Sequence, residues 1–195
     1  MKVVGREKID FKKPFIIMTN HQSNLDVLAL ATRLPLQLRW VAKRELLDNF
    51  VSRIYLRRIG SDFVERFDLQ RSVEDLKQVE LSLRAGRTPV FFPEGTFTRK
   101  PGLQPFRMGA FVLAAEAGIP VVPVSIRGTR SILRDGSWFP RRGIITVTIG
   151  APIAPDGKDW TAAIRLRNKA RAEILRLCGE HDLAPAAVPE EQAEV

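Results

Sequence analysis

Phe15-Ile16-Ile17-Met18-Thr19-Asn20-His21-Gln22-Ser23-Asn24-Leu25-Asp26 is the stretch on which the reading of this chain turns. Residues 15–18 form a short, continuous apolar run, the pattern of a strand buried on both faces. From Asn24 to Leu34 the period changes. Leu25, Leu28, Ala29 and Thr32 fall at helical spacing, and Pro35 stops the helix. A strand that feeds directly into a helix is the building unit of a layered α/β domain.

The same alternation continues outward. Leu36, Leu38, Trp40 and Ala42 alternate with polar or smaller neighbours and predict a second strand. Residues 45–58 read as a helix and 59–64 as a weaker strand. Leu69, Val73, Leu76, Val79 and Leu83 form a helical stripe closed by Gly86. Residues 88–92 predict a strand, 96–106 a loop, 108–118 a small-residue helix and 121–126 another buried strand. Residues 127–142 read as a basic loop with a short helical option near Ser131. Residues 144–149 predict a last strand, and Ala163, Leu166, Ala170, Ile174 and Leu177 a closing helix. The expected fold is α/β: a mixed, largely parallel sheet flanked by helices, in a single domain over residues 1–184. The acidic, Ala/Pro-rich tail 185–195 is expected to be disordered.

Composition narrows the function. The 195 residues carry a formal charge of +9, which calls for an anionic partner: a phosphate ligand, an anionic lipid surface or a nucleic acid. The single cysteine, Cys178, excludes an intrachain disulfide, fits a reducing compartment and reads as a packed thiol. No apolar run approaches the ~18 residues needed to span a bilayer. The longest, 109–126, is broken by Glu116, Gly118, Pro120 and Pro123. Residues 1–13 lack the apolar stretch of a signal peptide. The expected location is cytoplasmic, peripheral on the inner face of the cell membrane.

His21 and Asp26 stand five residues apart around the start of the first helix. Ser23 reads as its N-cap, with Asp26 three residues on as the capping-box partner. A carboxylate reaching the imidazole would fix its tautomer and stabilise the imidazolium. An imidazole, with an ordinary pKa of about 6.5, accepts protons at cellular pH. The pair therefore serves either as a general base with its orienter or as a turn histidine beside a helix cap. A second polar motif follows the strand at 88–92: Phe92-Pro93-Glu94-Gly95-Thr96. Gly95 permits close backbone approach, and Arg99, Lys100 and Arg107 can supply cations to a phosphate.

His21-x4-Asp26 followed by Phe92-Pro93-Glu94-Gly95-Thr96 closely resembles the glycerol-phosphate/lysophosphatidate acyltransferase family, often called PlsC-like. Two further blocks are similar in family order: Gly60-Ser61-Asp62-Phe63-Val64-Glu65-Arg66 and Ile119-Pro120-Val121-Val122-Pro123-Val124. The resemblance covers roughly residues 3–150. It implies transfer of a fatty acyl group from acyl-CoA or acyl carrier protein to the hydroxyl of lysophosphatidate. The alternative acceptors are a lysophospholipid and glycerol 3-phosphate. His21 would be the general base and Asp26 its orienting partner. Arg66, Glu94, Gly95 and Thr96 would shape the acceptor phosphate site, with Arg99 and Lys100 as further cations. No metal or cofactor is expected beyond the acyl donor.

The family usually places an arginine directly after the Gly-Thr pair, whereas here Phe97 and Thr98 precede Arg99. Many members also carry an apolar segment before the histidine block, so a soluble member and one domain of a longer protein both fit. Arg127, Arg130, Arg134, Arg141 and Arg142 enclose Ile132, Leu133, Trp138 and Phe139, a mixture suited to an anionic membrane surface. Readings from other classes are a basic nucleic-acid-binding module and an inactive membrane-surface scaffold. The aromatics lie mostly within apolar strands and helices, which disfavours a base-stacking platform.

Overall fold

The computed structural model describes residues 1–43, 62–64, 72–98, 100–134 and 139–184. Among them seven strands form one sheet: β1 (Lys2–Val4), β2 (Ile16–Thr19), β3 (Gln37–Lys43), β4 (Asp62–Val64), β5 (Arg87–Phe91), β6 (Val121–Arg127) and β7 (Thr146–Ile149). Their spatial order is β1-β7-β6-β2-β5-β3-β4. All neighbours run parallel except β6 and β7, which are antiparallel. The helices are α1 (Leu25–Arg33), α2 (Ser72–Arg84), α3 (Gly109–Ala117), a short α4 (Thr129–Ile132) and α5 (Trp160–Cys178). The α/β architecture expected from the sequence is the one observed.

Successive strand residues point to opposite faces, and here both faces are covered. Ile16, Met18, Phe91 and Val121 pack on one face with Val79 of α2, Phe111 of α3 and Leu166, Ala170 and Ile174 of α5. Ile17, Val90, Val122, Val124 and Ile126 pack on the other with Val27 and Leu30 of α1. Burial on both sides explains why β2 and β6 read as continuous apolar runs rather than alternating ones.

β2 lies between β6 and β5, with Thr19 opposite Val124 and Met18 opposite Phe91. Because the three strands are parallel, their carboxyl ends emerge side by side. That edge receives His21 from β2, Glu94 from β5 and Arg127 from β6. Ligands in open parallel sheets collect at such an edge.

Three expectations need amendment. β1 was not foreseen; it is three residues long and owes its existence to pairing with β7. The helix expected at 45–58 and the tail at 185–195 lie outside the described residues, as does the first half of the strand expected at 59–64. α1 begins after Asn24, whose side chain makes no capping bond, so Ser23 is not the N-cap.

Phe111 is fully buried and packs beside Phe106 with ring centroids 6.1 Å apart. Phe111→Ala should lower unfolding stability by about 3–5 kcal/mol in urea titrations. A loss below about 1 kcal/mol would show that α3 does not close this face of the core.

Candidate active site

At the end of β2, Asn20 replaces the ladder with its side chain. Its Nδ2 donates to the Ile126 carbonyl at 2.9 Å and its Oδ1 accepts the Ile126 N–H at 2.7 Å. Strands β2 and β6 are thus held together one step past their last paired residues, and His21 leaves the sheet from a fixed point.

The Asp26 carboxylate is 0% exposed. Its Oδ2 accepts from His21 Nδ1 at 2.8 Å, from the Gln22 N–H at 2.6 Å and from the Ser23 N–H at 2.9 Å. Its Oδ1 accepts from the Thr129 hydroxyl at the start of α4. The bond from Ser23 N–H is one half of the expected capping box. The other half is missing: the Asp26 N–H donates to the Ser23 carbonyl at 3.0 Å rather than to its hydroxyl, which itself donates to the Leu133 carbonyl at 2.9 Å. Since an ionised carboxylate only accepts, Nδ1 of His21 carries the ring proton and Nε2 is left with a lone pair. The imidazole stacks on Phe92 at 4.1 Å and meets the edge of Phe97 at 4.7 Å. Only 16% of the His21 side chain is exposed.

The second motif is braced against the first. Glu94 is buried, its Oε1 accepting the His21 N–H at 2.7 Å and its Oε2 the Gln104 N–H at 2.8 Å. Burial pushes its pKa from 4.5 up to about 7, against the pull of those two hydrogen bonds; nearby Glu180 adds to the rise and Arg130 opposes it. Gly95 has φ of +75°, which glycine adopts freely. A Cβ there would lie 2.6 Å from Nε of Arg107, so it is the Arg107 side chain that uses the space glycine leaves. The Gly95 N–H is bonded to the Phe92 carbonyl at 2.9 Å. The N–H groups of residues 21–23 are likewise taken by Glu94 and Asp26. Both sets of N–H groups are thus already engaged within the protein.

Thr96 and Lys100 are exposed on the following loop. Arg66 and Arg99 lie outside the described residues, so the structure brings together His21, Asp26, Glu94 and Gly95 of the residues named from sequence. Sequence reasoning missed Asn20, Thr129 and Glu180. Glu180, just past the C-cap of α5, pairs with Arg130 and accepts from Gln22 Nε2 at 2.6 Å and from the Gly102 N–H at 2.7 Å. It ties both motif loops to α4. No local pattern announces a carboxylate 158 residues from its partner Gln22. Cys178 is buried, and burial raises its thiol pKa, which keeps it uncharged.

A parallel sheet whose carboxyl edge presents an imidazole backed by a buried carboxylate has the form of a proton-transfer site, flanked here by cations. The chain belongs to the acyltransferase family, whose model matches residues 1–127. It is 31% identical over 191 residues to the 1-acyl-sn-glycerol-3-phosphate acyltransferase of Saccharomyces cerevisiae, spanning 95% of this chain and 62% of that protein. Against the human 1-acyl-sn-glycerol-3-phosphate acyltransferase alpha the identity is 32% over 181 residues, spanning 92% and 64%. The chain thus covers about three fifths of the length of these relatives. Its fold matches the crystal structure of the 1-acyl-sn-glycerophosphate acyltransferase PlsC from Thermotoga maritima, with a TM-score of 0.70 and 29% identity, over 90% of this chain and 70% of that one.

The raised pKa of Glu94 has a consequence for stability. Between pH 4.5 and 7 the folded chain holds a proton on Glu94 that the unfolded chain has released. Stability therefore falls as pH rises through that window. Urea titrations should show wild type losing about 2 kcal/mol more than Glu94→Gln between about pH 5.5 and 8. Glutamine sets an amide against one of the two N–H donors and starts less stable, so only the slopes are compared. Parallel pH profiles would contradict the assignment.

Proposed function

We propose that the protein acylates lysophosphatidate, taking the acyl group from acyl-CoA or acyl carrier protein and yielding phosphatidate. The observation that carries this reading is the His21 ring, held through Nδ1 by buried Asp26, an arrangement that in the neutral ring leaves Nε2 as the acceptor. The acceptor hydroxyl loses its proton to Nε2 as its oxygen attacks the thioester carbonyl carbon. Collapse of the tetrahedral intermediate breaks the C–S bond, and the proton passes from His21 to the leaving thiolate. Asp26 stabilises the imidazolium between these steps.

Direct transfer, with no acyl-enzyme, is favoured by the two candidate nucleophiles. The Ser23 hydroxyl is buried and donates to Leu133, and the Cys178 thiol is buried and neutral. Arg107 across Gly95, together with exposed Lys100, supplies cations for the acceptor phosphate. Arg66 and Arg99 keep the same assigned role. Lysophospholipids and glycerol 3-phosphate remain the rival acceptors, and a single acceptor panel ranks all three.

The location on an anionic membrane face is part of the same reading. No helix among the described residues is long and apolar enough to cross a membrane. Phe139 is 85% exposed and Ile144 is 75% exposed, beside exposed Arg141 and Arg142. Apolar side chains among cations suit the headgroup region. Sedimentation with vesicles should show stronger binding to anionic than to neutral lipid, weakened by salt. Equal binding to both would dispose of the surface assignment.

His21→Ala should cut transfer from acyl-CoA to lysophosphatidate by about 100- to 10,000-fold with an unchanged circular dichroism spectrum. Asp26→Asn should lower kcat while the protein remains folded, because the amide no longer fixes the tautomer. A His21→Ala enzyme turning over at the wild-type rate would end the proposal.

A further inference from the structure

A second feature is reached from the first motif through Gln22, and the proposed proton transfer does not use it. β6 ends at Arg127, and Gly128, with φ of +95°, turns the chain into α4. A Cβ at Gly128 would collide with the Ile144 carbonyl oxygen, so the turn is fixed at a glycine. Between this turn and the end of α5 lies a cleft of about 700 Å³. Gln22, next in sequence to His21, lines it together with Arg127, Arg130, Arg134, Cys178 and Glu180.

The charges in the cleft do not balance. Arg130 is paired with Glu180. Arg127 and Arg134 are exposed and have no carboxylate partner among the described residues. Buried Cys178 contributes a neutral thiol. Three guanidinium groups and one carboxylate leave two positive charges around one concavity. Like charges gathered there repel, and a bound anion would relieve that repulsion. The carboxyl end of α5 explains part of it. The Arg127 guanidinium lies about 3.8 Å from where a Gly179 Cβ would sit, against a helix terminus carrying roughly half a negative charge. That leaves more than one charge uncompensated, and Arg134 has no comparable partner.

We propose that this cleft binds phosphate esters carried by a substrate, one phosphate group on each free guanidinium. A guanidinium presents two parallel N–H donors that match two phosphate oxygens, which an ammonium does not. The inference rests on the acyl-transfer reading for its choice of ligand. The nucleotide end of CoA carries several phosphate groups, whereas glycerol 3-phosphate and lysophosphatidate carry one. Two free guanidinium groups therefore fit the donor better than the acceptor. Gln22, the residue after His21 in sequence, is the link between this cleft and the first motif.

Calorimetric titration of adenosine 3′,5′-bisphosphate and, separately, glycerol 3-phosphate tests this without relying on turnover. The proteins are wild type, Arg127→Gln/Arg134→Gln, and Lys12→Gln/Lys158→Gln, which removes two exposed charges elsewhere. The arginine pair variant should weaken bisphosphate binding about tenfold or more, and the lysine control less than about twofold. Arg134→Gln alone repeats the test if the double variant melts early. Weakening confined to glycerol 3-phosphate would keep the cleft as a phosphate site and assign it to the acceptor. Equal losses in the two variants, or neither probe responding to the arginines, would overturn it. Bisphosphate binding with no acyl transfer to any acceptor would leave the cleft intact and remove the acyltransferase reading.

Discussion

The Asp26 carboxylate is the interaction on which the rest of the site depends. An ionised carboxylate withdrawn from water costs several kcal/mol unless its oxygens are satisfied. Asp26 is satisfied by four donors: the His21 ring, two backbone N–H groups and the Thr129 hydroxyl. Meeting that demand folds residues 21–23 around the first turn of α1 and draws α4 against them from 103 residues away. The orientation of the imidazole follows from the same requirement. The first turn of a helix favours a negative charge, so the carboxylate also sits where the macrodipole supports it.

Two further carboxylates extend this scheme. Glu94 joins the loop after β5 to the loop after β2, and Glu180 joins both to α4. The edge of a parallel sheet has no ladder to hold its loops together, and acceptor groups aimed at backbone N–H donors perform that task. The cost appears in Glu94, whose pKa is lifted by burial and by proximity to Glu180. Arg130 pairs with Glu180 and also acts on Glu94 in the opposite sense, so one guanidinium serves both carboxylates.

The fold was legible because both faces of the sheet are buried, so strands announce themselves as apolar runs and helices as 3.6-residue stripes. β1 escaped notice because three residues carry no measurable period. The pairing of His21 with Asp26 was legible because it is local, five residues across one turn. The partners that complete the site were not. Thr129 from Asp26, Glu180 from Gln22 and Ile126 from Asn20 each lie more than a hundred residues away, and only the tertiary fold brings them close. The Leu133 carbonyl that takes the Ser23 hydroxyl proton was equally beyond any local pattern.

Phe97 gives the unusual spacing after Gly95-Thr96 a physical meaning. Its ring meets the edge of the imidazole, Phe92 covers one ring face, and Trp40 stacks behind Phe92 at 6.3 Å. Aromatic walls on two sides and a carboxylate on a third limit how the ring can turn and which side water reaches. The imidazolium formed during proton transfer would gain from the electron-rich face of Phe92. Two extra residues before Arg99 therefore supply a wall for the base where the usual motif supplies a cation. Arg107, reaching back across Gly95, brings a guanidinium near the motif.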